Sequence, residues 1–303
     1  PFGATFTYYI KDEMKTKKQK RKEQEKDAVK NKTEIKIPTY EESRSEVDEE
    51  SPSIFFVIKD EAGNIVRKLK GDNAIGINRV TWDLSYPAFD PVSSSSANDG
   101  KNSAWFAMPG KYSVSMWKHD TAETQLAGPI NFICRMLGSP SIPTKDRSAL
   151  IAFQQKSSKL QGVISATLNV LRETKSTVTS MKSAAMQTQN VTSSLQERVH
   201  NLELRLVQMN RKFSGDEIIS RRNDIAPPSI LSRVNKLTES FYSSTSDVSD
   251  IQKKAYQIAS DEFEIEYTAL KKIVETELPS LAKEFEQLGA PPIQGRLPEW
   301  KKE

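Results

Sequence analysis

One cysteine, two histidines and twelve glycines are all that this chain of 303 residues contains of three residue types on which much protein chemistry depends. The lone thiol, Cys134 in the apolar run INFICRM, excludes any disulfide within the chain and reads as a small buried hydrophobe rather than a nucleophile. His119 and His200 form no pair at metal-ligand spacing and stand in no Cys/His cluster, so no metal site is expected. Each also reads as a surface or flanking residue, and no Ser-His-Asp arrangement is assembled around either. There is no Gly-rich phosphate loop and no cofactor is expected. No apolar run approaches the roughly 18 residues that a membrane span needs; the longest, such as SIFFVI, are strand-sized. Neither sign of charge dominates, with 44 basic and 40 acidic residues for a net +4. The small excess gathers in one early lysine run, and no nucleic-acid partner is expected.

What is present changes character near residue 140. Before it, β-branched and aromatic residues alternate with polar ones between Gly, Pro, Asn and Asp; after it, breakers become rare and the apolar period becomes helical. The junction GSPSIPTKD offers Thr144 or Asp146 as the cap of the first helix. Strands are predicted at about 4–10, 53–59, 64–70, 77–84, 103–108, 111–118 and 124–135. EAGN (61–64) reads as a hairpin turn in which Gly63 and Asn64 supply positive φ. Val80, Trp82 and Leu84 fall on one face of their strand, which can be buried. Seven short strands in about 130 residues have the spacing of an antiparallel sandwich.

Two segments interrupt the strands. Residues 11–50 lie between the first strand and the second. Their first part, KDEMKTKKQKRKEQEKDAVKNK, reads as a solvated helix with no apolar stripe, and the second, YEESRSEVDEESPS, as an acidic linker. The alternatives to a merely solvated helix are a protein-docking arm and a nucleic-acid or membrane contact. The last two lack interleaved aromatics and an apolar face, respectively. The second interruption, 86–102, is read as a flexible loop.

Helices are predicted at 146–186, 190–213, 228–242 and 248–288. The second carries a heptad-like seam of Val191, Leu195, Val199, Leu202, Leu206, Met209 and Phe213. Pro279 should kink or split the last helix, and Gly289 with Pro291-Pro292 should end it. Four amphipathic helices joined by short loops suggest an up-and-down four-helix bundle.

Candidate chemistry is sparse. Glycoside hydrolysis needs two carboxylates across a cleft; Asp60, Asp83 and Asp90 read instead as surface or turn-capping residues. Arg211, Lys212, Arg221 and Arg222 surround one inter-helix loop, where the alternative to ordinary solvated charge is an anion site. Trp82, Trp105 and Trp117 are candidates for an exposed aromatic platform for sugar, although the alternation around Trp82, Tyr112 and Trp117 fits inward faces better. Trp300, in the Pro-rich tail RLPEW, is a candidate for docking onto a neighbouring surface.

The pattern VIKDEAGNIVRKLKG…GINRVTWDL…MPGKYSV resembles the Ig-like β-sandwich of flagellar hook-capping proteins, through Asp60, Gly63-Asn64, Val66, Leu69, Gly76, Asn78, Val80, Trp82-Asp83 and Pro109-Gly110-Lys111-Tyr112. Over nearly its whole length, from FGATFTYYI to LGAPPIQGRLPEW, the chain is similar to the C-terminal region of large bacterial proteins that carry a sortilin-type β-propeller of neuraminidase-like repeats, often labelled glycosyl hydrolases. That resemblance implies a propeller of the same parent chain upstream, with Phe2 and Tyr8 near the junction as candidate docking residues. It implies a secreted protein, extracellular or periplasmic. The propeller's own Ser-x-Asp-x-Gly-x-Thr-Trp turn has no counterpart here, since in SANDGKNSAW Asn102 replaces the Thr and Ser103 the Trp.

The expectation is therefore a multidomain chain, β then α. An Ig-like antiparallel β-sandwich (1–140, with a charged helical insert at 11–50) precedes an up-and-down four-helix bundle (141–303). The expected role is a non-catalytic structural or interaction region. The alternatives are a carbohydrate-binding accessory module, or part of a glycoside hydrolase whose active site lies in the propeller. The expected partners are that propeller, another protein or a glycan.

Overall fold

The computed structural model describes residues 2–92, 103–120, 122–136, 144–243 and 246–293. Contacts divide the chain into two units: Pro1–Pro87 with Ser95–Ser139, and Ala88–Ser94 with Pro140–Glu303.

The first unit is built of antiparallel strands: β1 (Ala4–Ile10), β2 (Ser53–Asp60), β3 (Ile65–Gly71), β4 (Gly76–Trp82), β5 (Ser85–Pro87), β6 (Ser103–Phe106), β7 (Gly110–His119) and β8 (Glu123–Cys134). They form a four-stranded sheet in the order β3-β2-β7-β8 and two pairs, β1-β4 and β5-β6. Alternation decides what each strand buries. Ile54, Phe56 and Ile58 of β2 turn inward against Val114 and Tyr112 of β7, and Trp82 closes the same core. Phe6 of β1 stacks on Phe56 and meets Phe132 edge-on, while Trp82 meets Tyr112 and Phe132 edge-on. The polar tips of Trp82 and Tyr112 find partners, as burial of a polar group demands. The Trp82 indole donates to Ser85 O at 2.9 Å and the Tyr112 hydroxyl to Met108 O at 2.6 Å.

Only Gly63 of the EAGN turn has positive φ, +84°. Asn64 serves differently, donating its backbone N–H and its amide to the Asp60 carboxylate at 2.8 and 3.1 Å.

The insert departs from expectation. The basic run forms α1 (Lys17–Asn31), and the segment expected to be an acidic linker forms a second helix, α2 (Tyr40–Val47). Both start in capping boxes, Thr16 with Gln19 and Thr39 with Glu42, which satisfy otherwise orphaned N–H groups at each end.

The second unit contains α3 (Arg147–Gln187), α4 (Ser193–Ser214), the short α5 (Glu217–Arg221), α6 (Ile230–Ser243), α7 (Asp250–Lys272), a π-turn (Ile273–Glu277) and α8 (Leu278–Gln287). Asp146 is the cap of α3, accepting from Ala149 N at 3.0 Å. The α4 seam is buried from Leu195 to Phe213 and packs in one core with Ile164, Leu168, Leu171, Val234, Leu270 and Phe285. A smaller cluster joins Phe153, Leu237 and Phe241. Gly162 of α3 lies against the Phe89 backbone, where an added Cβ would stand 2.0 Å from the carbonyl oxygen.

Near Pro279 the last long helix does not simply kink. Its missing N–H is accommodated beside a π-turn, and the extra residue of that turn shifts the buried stripe from Leu270–Ile273 to Leu281–Phe285. Ile251, although apolar, is exposed because it lies in the first turn of α7, before the core begins.

Candidate interaction surfaces

The aromatic platform does not form. Trp82 is 0% exposed and Trp105 2%, the latter stacked on Tyr86 at 5.1 Å. Trp117 stacks on Phe55 on the face of the four-stranded sheet opposite Ile54, Phe56 and Ile58. Rings enclosed in a core, or turned to opposite faces of a sheet, cannot present one flat surface to a sugar.

Asp60 and Asp83, two of the candidate carboxylates, have local partners. Asp60 caps the β2–β3 turn, and Asp83 Oδ1 accepts from Ser85 N at 3.1 Å and Ser85 Oγ at 2.5 Å. Nor is an anion site assembled. Arg211 pairs with Asp216, Lys212 with Glu266, Arg221 with Glu217 and Arg222 with Asp224. Among the described residues no group of three or more His, Cys, Asp or Glu side chains could hold a metal ion, and no helix is long and apolar enough to cross a membrane. Cys134 is buried and free, its thiol pKa raised by burial.

His119 ends β7 rather than lying in a turn, with Nε2 3.1 Å from Glu50 Oε2. His200 lies on α4 beside Glu203, with the ring 3.5 Å from its carboxylate.

Of the docking candidates, Phe2 is exposed and packs edge-on against Phe106 at 5.9 Å. Tyr8 is half-buried, donating its hydroxyl to Asp72 O at 2.6 Å, and desolvation raises its pKa. Trp300 lies outside the described residues.

The insert is the feature that sequence reading undervalued. The signal was present in two Ser/Thr-x-x-Glu/Gln patterns, Thr16-x-x-Gln19 and Thr39-x-x-Glu42. α1 and α2 form a hairpin clamped by Arg21. Its Nε and Nη2 donate to both oxygens of Glu46, at 2.6 and 2.9 Å, and its Nη1 pairs with Glu25. The Arg21 hydrogen bond lowers the Glu46 pKa, and the Glu46 and Glu25 carboxylates raise that of Arg21. Lys17 N donates to Glu49 Oε2 at 2.6 Å, closing the far end. A cleft of about 300 Å³ remains between the helices, lined by Arg21, Ala28, Pro38, Ser45 and Glu46 among others.

Neither helix has a buried residue. Ile37, Tyr40 and Val47 are 83, 80 and 79% exposed, with Ile35 and Val29 also exposed. The charge pattern of α1 is divided: Arg21 pairs with Glu25 four residues on and Lys30 complements the dipole in the last turn, but other positions oppose the helix. Its first turn has no acid, and Lys17, Lys18 and Lys20 oppose the dipole there. Lys18, Lys22, Lys26 and Lys30 stand four apart, giving three like-charged pairs that cost a helix roughly 0.2–0.5 kcal/mol each.

No protein-family model, curated protein or solved structure matches the chain.

Proposed function

We propose that this chain is a non-catalytic structural and interaction region of a larger secreted bacterial protein, lying after a β-propeller. In this reading its first unit is an Ig-like sandwich, its second an up-and-down four-helix bundle, and the α1–α2 insert an arm that docks another polypeptide or another part of the parent chain. The observation that carries the interaction role in this reading is the arm. It consists of two capped and clamped helices with no buried residue and with Ile37, Tyr40 and Val47 in solvent. Helices this short are marginal in water unless something packs on them. Exposed aliphatic and aromatic residues on an ordered element are what a partner surface covers.

The test is a photo-reactive residue at Tyr40 in the full protein, produced in its own source. A specific cross-linked polypeptide or intramolecular link is expected from this position, and none from the same group at Ile225, which is fully exposed in the second unit. Absence of a Tyr40 cross-link overturns the arm. Turnover of generic glycosides by the chain overturns the non-catalytic half of the reading.

A further inference from the structure

α1 presents a row that the hairpin does not use. Lys18, Lys22, Lys26 and Lys30 are exposed, and no carboxylate among the described residues pairs with any of them. The charge of Lys18 adds to the lowering of the Glu46 pKa without a direct contact. At 1.5 Å rise per residue, these four positions repeat every ~6 Å along one side of the helix. Val29, 62% exposed, follows Lys22 by seven residues and falls on the same side. On the other flank, Arg21, Glu25 and Ala28 face α2.

We propose that this row is the recognition face for an acidic helical segment of a partner polypeptide, with carboxylates at four-residue spacing and an aliphatic residue to cover Val29. The proposal rests on the reading of the insert as a docking arm and names the chemistry of its partner. Charge complementarity argues for it, and the arm supplies its own precedent. α2 places Glu42 and Glu46 four apart and lies along α1 by setting Glu46 on Arg21. A second acidic helix on the lysine side would enclose α1 between two acidic neighbours and remove the like-charge repulsion within the row.

Other polyanions fit less well. α1 carries no aromatic residue on which a base could stack, and its one arginine is committed to Glu46 and Glu25. Insertion into a lipid surface needs an apolar face, which α1 lacks.

The test titrates the full chain with a synthetic helical peptide carrying four glutamates at four-residue spacing and one leucine, followed by fluorescence anisotropy. Binding should weaken at least about tenfold in Lys18→Gln/Lys22→Gln/Lys26→Gln/Lys30→Gln, and it should fall as NaCl rises from about 50 to about 300 mM. It should stay within about twofold in a control with Lys59, Lys236, Lys254 and Lys283 changed to Gln, because no screened charge outside the row should matter. Glutamine keeps helix propensity, and circular dichroism checks that α1 survives. The proposal is overturned if the row variant binds like the native chain, or if a peptide with the same glutamates scattered binds equally well. It is also overturned if duplex DNA or phosphatidylglycerol vesicles bind more tightly than the peptide. A Tyr40 cross-link that persists unchanged in the row variant removes the partner assignment and leaves the arm; absence of the cross-link in the native chain removes the arm.

Discussion

At the scale of single residues, the hairpin depends on one guanidinium. Arg21 reaches both oxygens of Glu46, a bidentate geometry that lysine cannot reproduce. Its hydrogen bonds hold the Glu46 carboxyl below the usual carboxylate range. A carboxyl whose folded pKa is lowered stabilises the fold at pH values above its unfolded pKa. That contribution is lost as pH falls through the lowered value. The arm should therefore stay closed at neutral pH and loosen on acidification below about pH 4. Amide hydrogen exchange across α1 should accelerate there before it does in β2 or β7, and Glu46→Gln should give open-arm exchange rates already at pH 7. Equal exchange in native and variant chains would show that the clamp is not what orders α1. None of this pairing was legible in the sequence: Arg21 and Glu46 are 25 positions apart, and spacing alone brings Arg21 only to Glu25.

At the scale of elements, periodicity carried most of the information. The seam from Leu195 to Phe213 was readable because apolar residues recur at threes and fours, and every one of those positions is buried. Leu206 is 0% exposed at its centre, so Leu206→Ala should cost about 2–5 kcal/mol, seen as a lower midpoint in urea unfolding with the m-value unchanged. The same reasoning fails in part along the last long helix. Tyr267 falls on the apolar repeat of the last long helix yet is 42% exposed, while beyond the π-turn Leu281 and Phe285 return to the core. Periodicity also missed α2, which has no apolar stripe to detect. Its capping box at Thr39 and Glu42 was the only local signal, and the cluster of acids obscured it.

At the scale of the whole molecule, the chain has two large cores with no residue in common, one among strands and one among helices. Helices α1 and α2 bury no residue, whereas Met14 just before them packs on the strand core. Replacing residues 16–49 by a short Gly-Ser linker should therefore leave the thermal midpoint within about 2–4 °C, the shift expected for a change near 1 kcal/mol. A larger fall, read by circular dichroism, would mean that the arm supports the strands, and a docking role would lose its main structural argument. By itself the sequence determined where strands give way to helices, which faces of β4 and α4 are apolar, and that Cys134 stands alone. These are local properties, written in side-chain alternation and residue type. The tertiary structure alone decided that Trp82 and Trp105 are enclosed, that Arg211, Lys212, Arg221 and Arg222 each meet a carboxylate, and that a basic and an acidic segment close into one hairpin. These depend on contacts between positions far apart in the chain, and sequence spacing carries no record of which distant charge or ring a side chain will meet.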